Sequence, residues 1–298
     1  MAHVTHQRVL TRAAKQLVVV GLAGMKPLLH FVVAGETHQH VVATLAIKRV
    51  GTCTTQQGVG ASKSEETLDT YKTEGQTAGG SVAVAAAVAV VSLNSQTSAV
   101  VSSTGTQNAT GLVTVASRAS NASTVEADGS SVGGSGAVGV GAAVAINIGV
   151  LDNTALIGDS AQVSGNGMSL IADLRTGEKN TFSTKSTSGA GASNVGVAGS
   201  LAVGTVVSST TAALEGDESG PGASVNAGTG NVLIQAGDAT GSSVEAGAKV
   251  TGAGDSAKVG VGASISVNVG VNSTVAEVGN GADISGGNDM ALNATSEH

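Results

Sequence analysis

The chain has 298 residues, with 44 Gly, 2 Pro, 1 Cys, and Phe, Tyr and Trp together at only 1%. A hydrophobic fraction of 41% and a mean hydropathy of +0.24 exclude a disordered chain, and the dearth of aromatic anchors excludes a conventional thick core. The net charge of −7 does not suit phosphate-backbone binding, so nucleic acid is not an expected partner, and one cysteine excludes a disulfide framework or a multi-cysteine zinc site.

Residues 1–57 differ from everything that follows. They hold five of the six His, the Cys, and six Lys/Arg against Glu36 alone, whereas residues 76–298 hold six Lys/Arg against sixteen Asp/Glu. Arg8, Arg12 and Lys15 precede an apolar run from Leu17 to Met25, in the manner of a signal peptide. Lys26, Pro27 and His30 interrupt the pattern, so a signal, a basic cap and a non-native leader all remain open. The run is too short to span a membrane, and no transmembrane span is expected. Residues 58–80 are polar and Gly-containing, and read as a linker or a first irregular coil.

From residue 81 the chain repeats itself. The stretch Val82 to Val90 is matched by Val138 to Ile146, Val195 to Val203 and Val259 to Val267, with starts 56, 57 and 64 residues apart. The repeats therefore divide as 81–137, 138–194, 195–258 and 259–298. A second motif follows in the last three, beginning at Ala161, Ala223 and Ala282, and reads strand, Gly/Asn turn, strand: Val163, then Gly165-Asn166-Gly167, then Met168 to Ile171. The apolar period is two. Val138, Val140, Val144, Ile146, Ile148 and Val150 share one parity, and β-branched residues with recurrent Gly disfavour helix.

These features predict an all-β fold, a parallel β-helix (β-solenoid) of stacked repeats with an atypical N-terminal segment. The Val/Ile parity, including Ile265, is expected inside and the Gly, Ala, Ser and Asn parity, including Ser266, outside. A strand of thirteen residues would span roughly 43 Å, so a bend is expected near Ala142-Ala143. Three coils of roughly twenty residues per repeat would give a rod roughly 50 Å long. Asn147 and Asn268 share a repeat position that Gly204 interrupts, and could stack as a ladder.

The Val138-to-Val150 stretch, followed by the Ala282-Asp-Ile-Ser-Gly-Gly-Asn-Asp-Met-Ala-Leu-Asn-Ala type of stretch, resembles the repeats of very large bacterial surface proteins. These are the filamentous haemagglutinin-like adhesins, autotransporter passengers and leukotoxin-type filamentous proteins. The resemblance covers residues 81–298. It implies a bacterial protein, secreted or held at the cell surface, with a structural or adhesive role and a host-cell or matrix glycan or protein as partner. It supplies no catalytic residues. The chain stops at His298 partway through a repeat, so a piece of a longer protein is expected, with end-to-end self-association through uncapped solenoid ends.

Chemistry is sparse. No Gly-rich phosphate loop occurs, and no cofactor is expected. Gly286-Gly287-Asn288-Asp289 resembles part of a calcium-binding repeat turn but stands alone. His38 and His40 have strand spacing for a metal pair, with His30 or Cys53 as a third ligand, set against a solvated His-rich leader. Parallel β-helices also host carbohydrate-active hydrolases and lyases, whose sites use paired carboxylates on an exposed face. The candidates for that alternative are Asp152, Asp159, Asp173 with Arg175, and Glu215, Asp217 and Glu218. Most sit beside Gly, Ser or Asn, where solvated turn acids are the norm.

Overall fold

The architecture comes from a computed structural model that describes residues 28–35, 39–50, 61–62, 66–74, 82–101, 105–131, 138–192, 194–217, 220–252 and 259–298. Every regular element among these residues is a strand. Two strands, β1 (Leu28–Gly35) and β2 (Gln39–Val50), form an antiparallel pair, and two more, β3 (Ala61–Ser62) and β4 (Glu66–Glu74), precede the first repeat. The first repeat holds β5 (Val82–Val101), β6 (Thr106–Asn108), β7 (Val113–Arg118) and β8 (Asn121–Ser131). The second holds β9 (Val138–Ile157), β10 (Gln162–Ser164), β11 (Met168–Asp173) and β12 (Asn180–Ala192). The third holds β13 (Val195–Leu214), β14 (Ser224–Asn226) and an unbroken β15 (Val232–Gly252). The fourth holds β16 (Val259–Val278), β17 (Asp283–Ser285) and β18 (Met290–Glu297).

Each repeat is one coil. Val82, Val138, Val195 and Val259 are consecutive register partners in a parallel ladder, and the residue-for-residue pairing continues to Val101, Ile157, Leu214 and Val278. Three parallel sheets result: β5-β9-β13-β16, then β6-β10-β14-β17, then a return sheet of β7, β8, β11, β12, β15 and β18. This is the expected parallel β-solenoid, but with one large coil per repeat rather than three small ones. Four coils at a spacing of about 4.8 Å replace the long rod with a broad, short stack. The long strands also run unbroken through Ala142-Ala143, where a bend was expected. The ladder reaches into the N-terminal segment as well: β2 pairs with β5, β3 with β7 and β4 with β8, and β1 closes that edge antiparallel.

The coil has two zones. In one, the last third of each long strand, the short strand and the start of the return strand surround a core of ordinary side chains, among them Val115, Ile157, Val163, Leu170, Leu214, Val225 and Ile234. The turn there is the one read from sequence. Gly167, at φ +99, opens the return strand where an L side chain would be strained, and its amide donates to Ala227 in the next coil at 2.9 Å.

The second zone is a thin slab, made where the first thirteen residues of the long strands lie on β8, β12 and β15. A Cβ placed on Gly139 would lie 2.5 Å from the Gly191 carbonyl oxygen, and one on Gly141 would collide with the Gly189 carbonyl. Sheets that meet through backbone admit only Gly, Ala, Ser and a few larger residues between them. The burial is therefore the reverse of the expected one. Gly139, Gly141, Ala143, Ala145 and Asn147 face inward, while Val138, Val140, Val144 and Ile146 are half-buried and Ile148 and Val150 exposed on the outside. On the end strand β16 both Ile265 and Ser266 are exposed, but one coil in, Leu201 at the level of Ile265 is half-buried while Ala202 at the level of Ser266 is fully buried.

Two outcomes follow, readable by urea unfolding. Gly141→Val should cost about 3 kcal/mol by overpacking, against about 0.5 kcal/mol for Val144→Thr. Ala145→Asp should cost about 3–5 kcal/mol as an unpaired buried charge, and Ile146→Asp far less. A larger cost at Ile146 than at Ala145 would contradict this burial pattern.

Candidate functional site

The candidate acids fall at three places in the coil, with Asp159 in a turn that stacks on the Glu215 and Asp217 segment of the next coil, where the Glu215 amide donates to the Ile157 carbonyl at 2.8 Å. Asp152 projects outward from β9, where its carboxylate accepts the Thr154 hydroxyl at 2.8 Å. Asp159 lies in the turn after β9, and Glu215 and Asp217 follow β13. Asp173 ends β11, with Oδ1 accepting the Leu174 amide and Oδ2 the Gln235 side-chain amide, each at 2.8 Å. Its carboxylate lies over Gly237 of the next coil, where a Cβ would come within 2.5 Å of Oδ1. Arg175 is in the exposed turn beyond Asp173, so the two do not share a strand face. Glu218, His38 and Cys53 lie outside the described residues. His40 stands on β2 opposite Ala34, and His30 on β1 opposite Thr44. Among the described residues no three His, Cys, Asp or Glu side chains are grouped to hold a metal ion. Gly286 and Gly287 both take positive φ in a turn where the Asn288 side-chain amide donates to Asp289 at 2.9 Å.

The main polar constellation lies instead where the thick and thin zones meet. Asn121, Asn180 and Thr240 hold equivalent places in successive coils, since Asn180 pairs with Thr240 and Thr181 with Ala122. The Asn121 side-chain amide donates to Asn180 Oδ1 at 3.2 Å. The Asn180 amide in turn donates to Asp238 Oδ1 at 3.0 Å and Thr240 Oγ1 at 3.2 Å. Asp238 Oδ2 also accepts the Thr240 hydroxyl at 3.0 Å and the Asn272 amide at 2.8 Å. A hydrogen-bonded column thus crosses the coils, almost wholly buried. The sequence signal was the recurrence of Asn121, Asn180 and Thr240 at one repeat position, with Asp238 two residues before Thr240.

The ladder expected at Asn147 and Asn268 does not form. Each side chain instead bridges the two sheets: Asn147 donates to the Ser123 and Ser183 carbonyls, both at 3.2 Å, and Asn268 accepts the Ser242 hydroxyl at 2.8 Å. Between them, the space a side chain at Gly204 would fill is taken by Val244, 2.6 Å from the position of a Cβ.

Beside the buried column, Asn121, Asp152, Asn153, Asn180 and Asp238 line a crevice of about 10 Å³. That is room for about one water and for no substrate. Burial pushes the Asp238 carboxyl above its ordinary value, against the opposing pull of hydrogen bonds from Thr240, Ser208 and Asn180 and of the nearby His298 charge. No protein-family model, curated protein or solved structure matches the chain.

The raised Asp238 pKa has a stability consequence of definite sign. Its contribution is fully present below the unfolded value of 3.8 and is lost as pH rises through the higher folded value. Relative to Asp238→Asn, the unaltered chain should therefore lose stability as pH rises from below 3.8 through the raised folded value. Parallel chemical denaturation of both proteins across that range checks this. A stability difference independent of pH, or one moving the other way, would contradict it.

Proposed function

We propose that the chain is a structural or adhesive, non-enzymatic segment of a bacterial secreted or cell-surface repeat protein, extended along its stacking axis by further coils. The observation that supports this most is the stack itself. Four repeats add one coil each in unbroken register, and the parallel hydrogen bonds between them leave each coil a template for the next. A protein built this way is a spacer whose length is set by repeat number. The resemblance of the repeats to those of large bacterial surface proteins points the same way, with a host-cell or matrix glycan or protein as the partner class.

Asp152 and Asp173 weigh against the carbohydrate-active alternative through where they lie. Glycoside hydrolysis needs two carboxyl groups facing one another across a sugar, at about 5–5.5 Å for retention or about 6.5–9.5 Å for inversion. Asp152 projects from the outer face of a long strand, Asp159 follows that strand in a turn, and Asp173 is tied down at the end of a return strand.

A panel of chromogenic glycosides, esters and polysaccharides tests the reading. No turnover is expected. Turnover abolished by Asp152→Ala, Asp159→Ala or Asp173→Ala would replace the structural reading with the enzymatic one. Beads coated with the chain should adhere to cells or matrix glycans, and beads that do not adhere would leave the structural half of the proposal alone.

A further inference from the structure

The thin slab is amphipathic across its thickness. On the return sheet, the outward residues carry no large aliphatic side chain from Ala122 to Ser130 and its equivalents, and their charges alternate from coil to coil: Glu126 pairs in register with Lys185, and Lys185 with Glu245. On the long-strand sheet, the outward residues from Val138 to Val150 and their equivalents in β5, β13 and β16 carry no charge, and aliphatic side chains dominate; the first charge on this register is Arg49 of β2, beside Ser92 at the sheet's edge. Val150, Val197, Val207 and Ile148 on the two middle long strands are 42%, 40%, 38% and 36% exposed. Parallel sheets are nearly always covered on both faces, and this one is covered on one.

We propose that the uncovered Val/Ile face is the docking surface for a second copy of this chain, the two slabs packing sheet on sheet. Thirteen residues per strand at about 3.3 Å and four strands at about 4.8 Å give a face of roughly 800 Å², which is the area each partner contributes to a standard stable interface. A flat aliphatic face is complementary to itself under a two-fold axis, and two such sheets stack about 10 Å apart with their β-branched side chains interleaved. Other occupants fit worse. Residues 76–298 carry six basic against sixteen acidic residues, so an anionic lipid surface repels the body, and the sequence has no Trp and one Tyr to anchor in an interface or stack on a sugar. End-to-end association would use the strand edges instead and would leave this face bare.

Sedimentation of the full chain distinguishes these arrangements. At about 10 µM the chain should form a closed dimer. Val140→Glu with Val197→Glu should render it monomeric with an unchanged β-sheet spectrum, while Thr181→Glu on the opposite face should leave the dimer intact. If the double glutamate variant loses its spectrum, Val140→Thr with Val197→Thr, which keeps the shape, should weaken the dimer at least about tenfold. A monomeric unaltered chain would overturn the proposal. So would an open-ended series of oligomers, or a dimer that survives the substitutions. A monomer that binds phosphatidylcholine vesicles, and loses that binding in the variant, would assign the face to lipid and overturn it too.

Discussion

The close approach of two sheets backbone to backbone governs the rest of this fold. Along β9, the space opposite Gly139 and Gly141 is filled by the carbonyls of Gly191 and Gly189. Over the first eight or so positions of this zone the inward residues are Gly, Ala or Ser, and larger groups such as Val91, Leu93, Val125, Val206 and Phe182 are buried only towards its far end. Where a larger group is inserted it needs a local vacancy. Phe182 lies against Gly149, with its ring 2.5 Å from where a Cβ would be, and Val244 uses the space left at Gly204 in the same way. Asn147 and Asn268 use the remaining gaps to tie one sheet to the other.

The same constraint divides the coil. Beyond about Leu151 the layers part to enclose a core of Val, Ile and Leu, and the buried column from Asn121 through Asn180 to Asp238 sits at that transition. A column of this kind crosses the coils and pairs the Asn180 amide with Asp238 and Thr240, although Asn121 Oδ1 and Asn272 Oδ1 are left buried without a partner. It also fixes register, because a one-residue slip would move every Asn to the opposite face. The strand ladders supply adhesion between coils. The column and the alternating Glu126, Lys185 and Glu245 supply its specificity.

Much of this was legible in the sequence. The four repeat starts were recovered as register partners, and the turn at Gly165-Asn166-Gly167 lies where its composition placed it. Coil size and facing were not legible. Period-two alternation states that one parity is inside without stating which. The rule that β-branched residues are buried failed because the partner layer is too close to admit them. The numerous glycines at alternate positions, read as an outward set, were the signal of that closeness. Repeat length likewise gave the period of the stack and not the number of coils within it. The candidate acids are those a carboxylate pair on an exposed face would use, whereas Asp238 is buried through a contact with Asn180 some sixty residues distant.

The central claim is that small residues face inward and aliphatic ones outward along the long strands. Thiol labelling of a dilute chain tests it most directly. In a Cys53→Ser background, single cysteines would replace Ala143, Val144, Ala145 and Ile146 in turn. Cysteines at 144 and 146 should label rapidly in the folded protein, and those at 143 and 145 only on unfolding. Protection at 144 and 146 with rapid labelling at 143 and 145 would contradict the account.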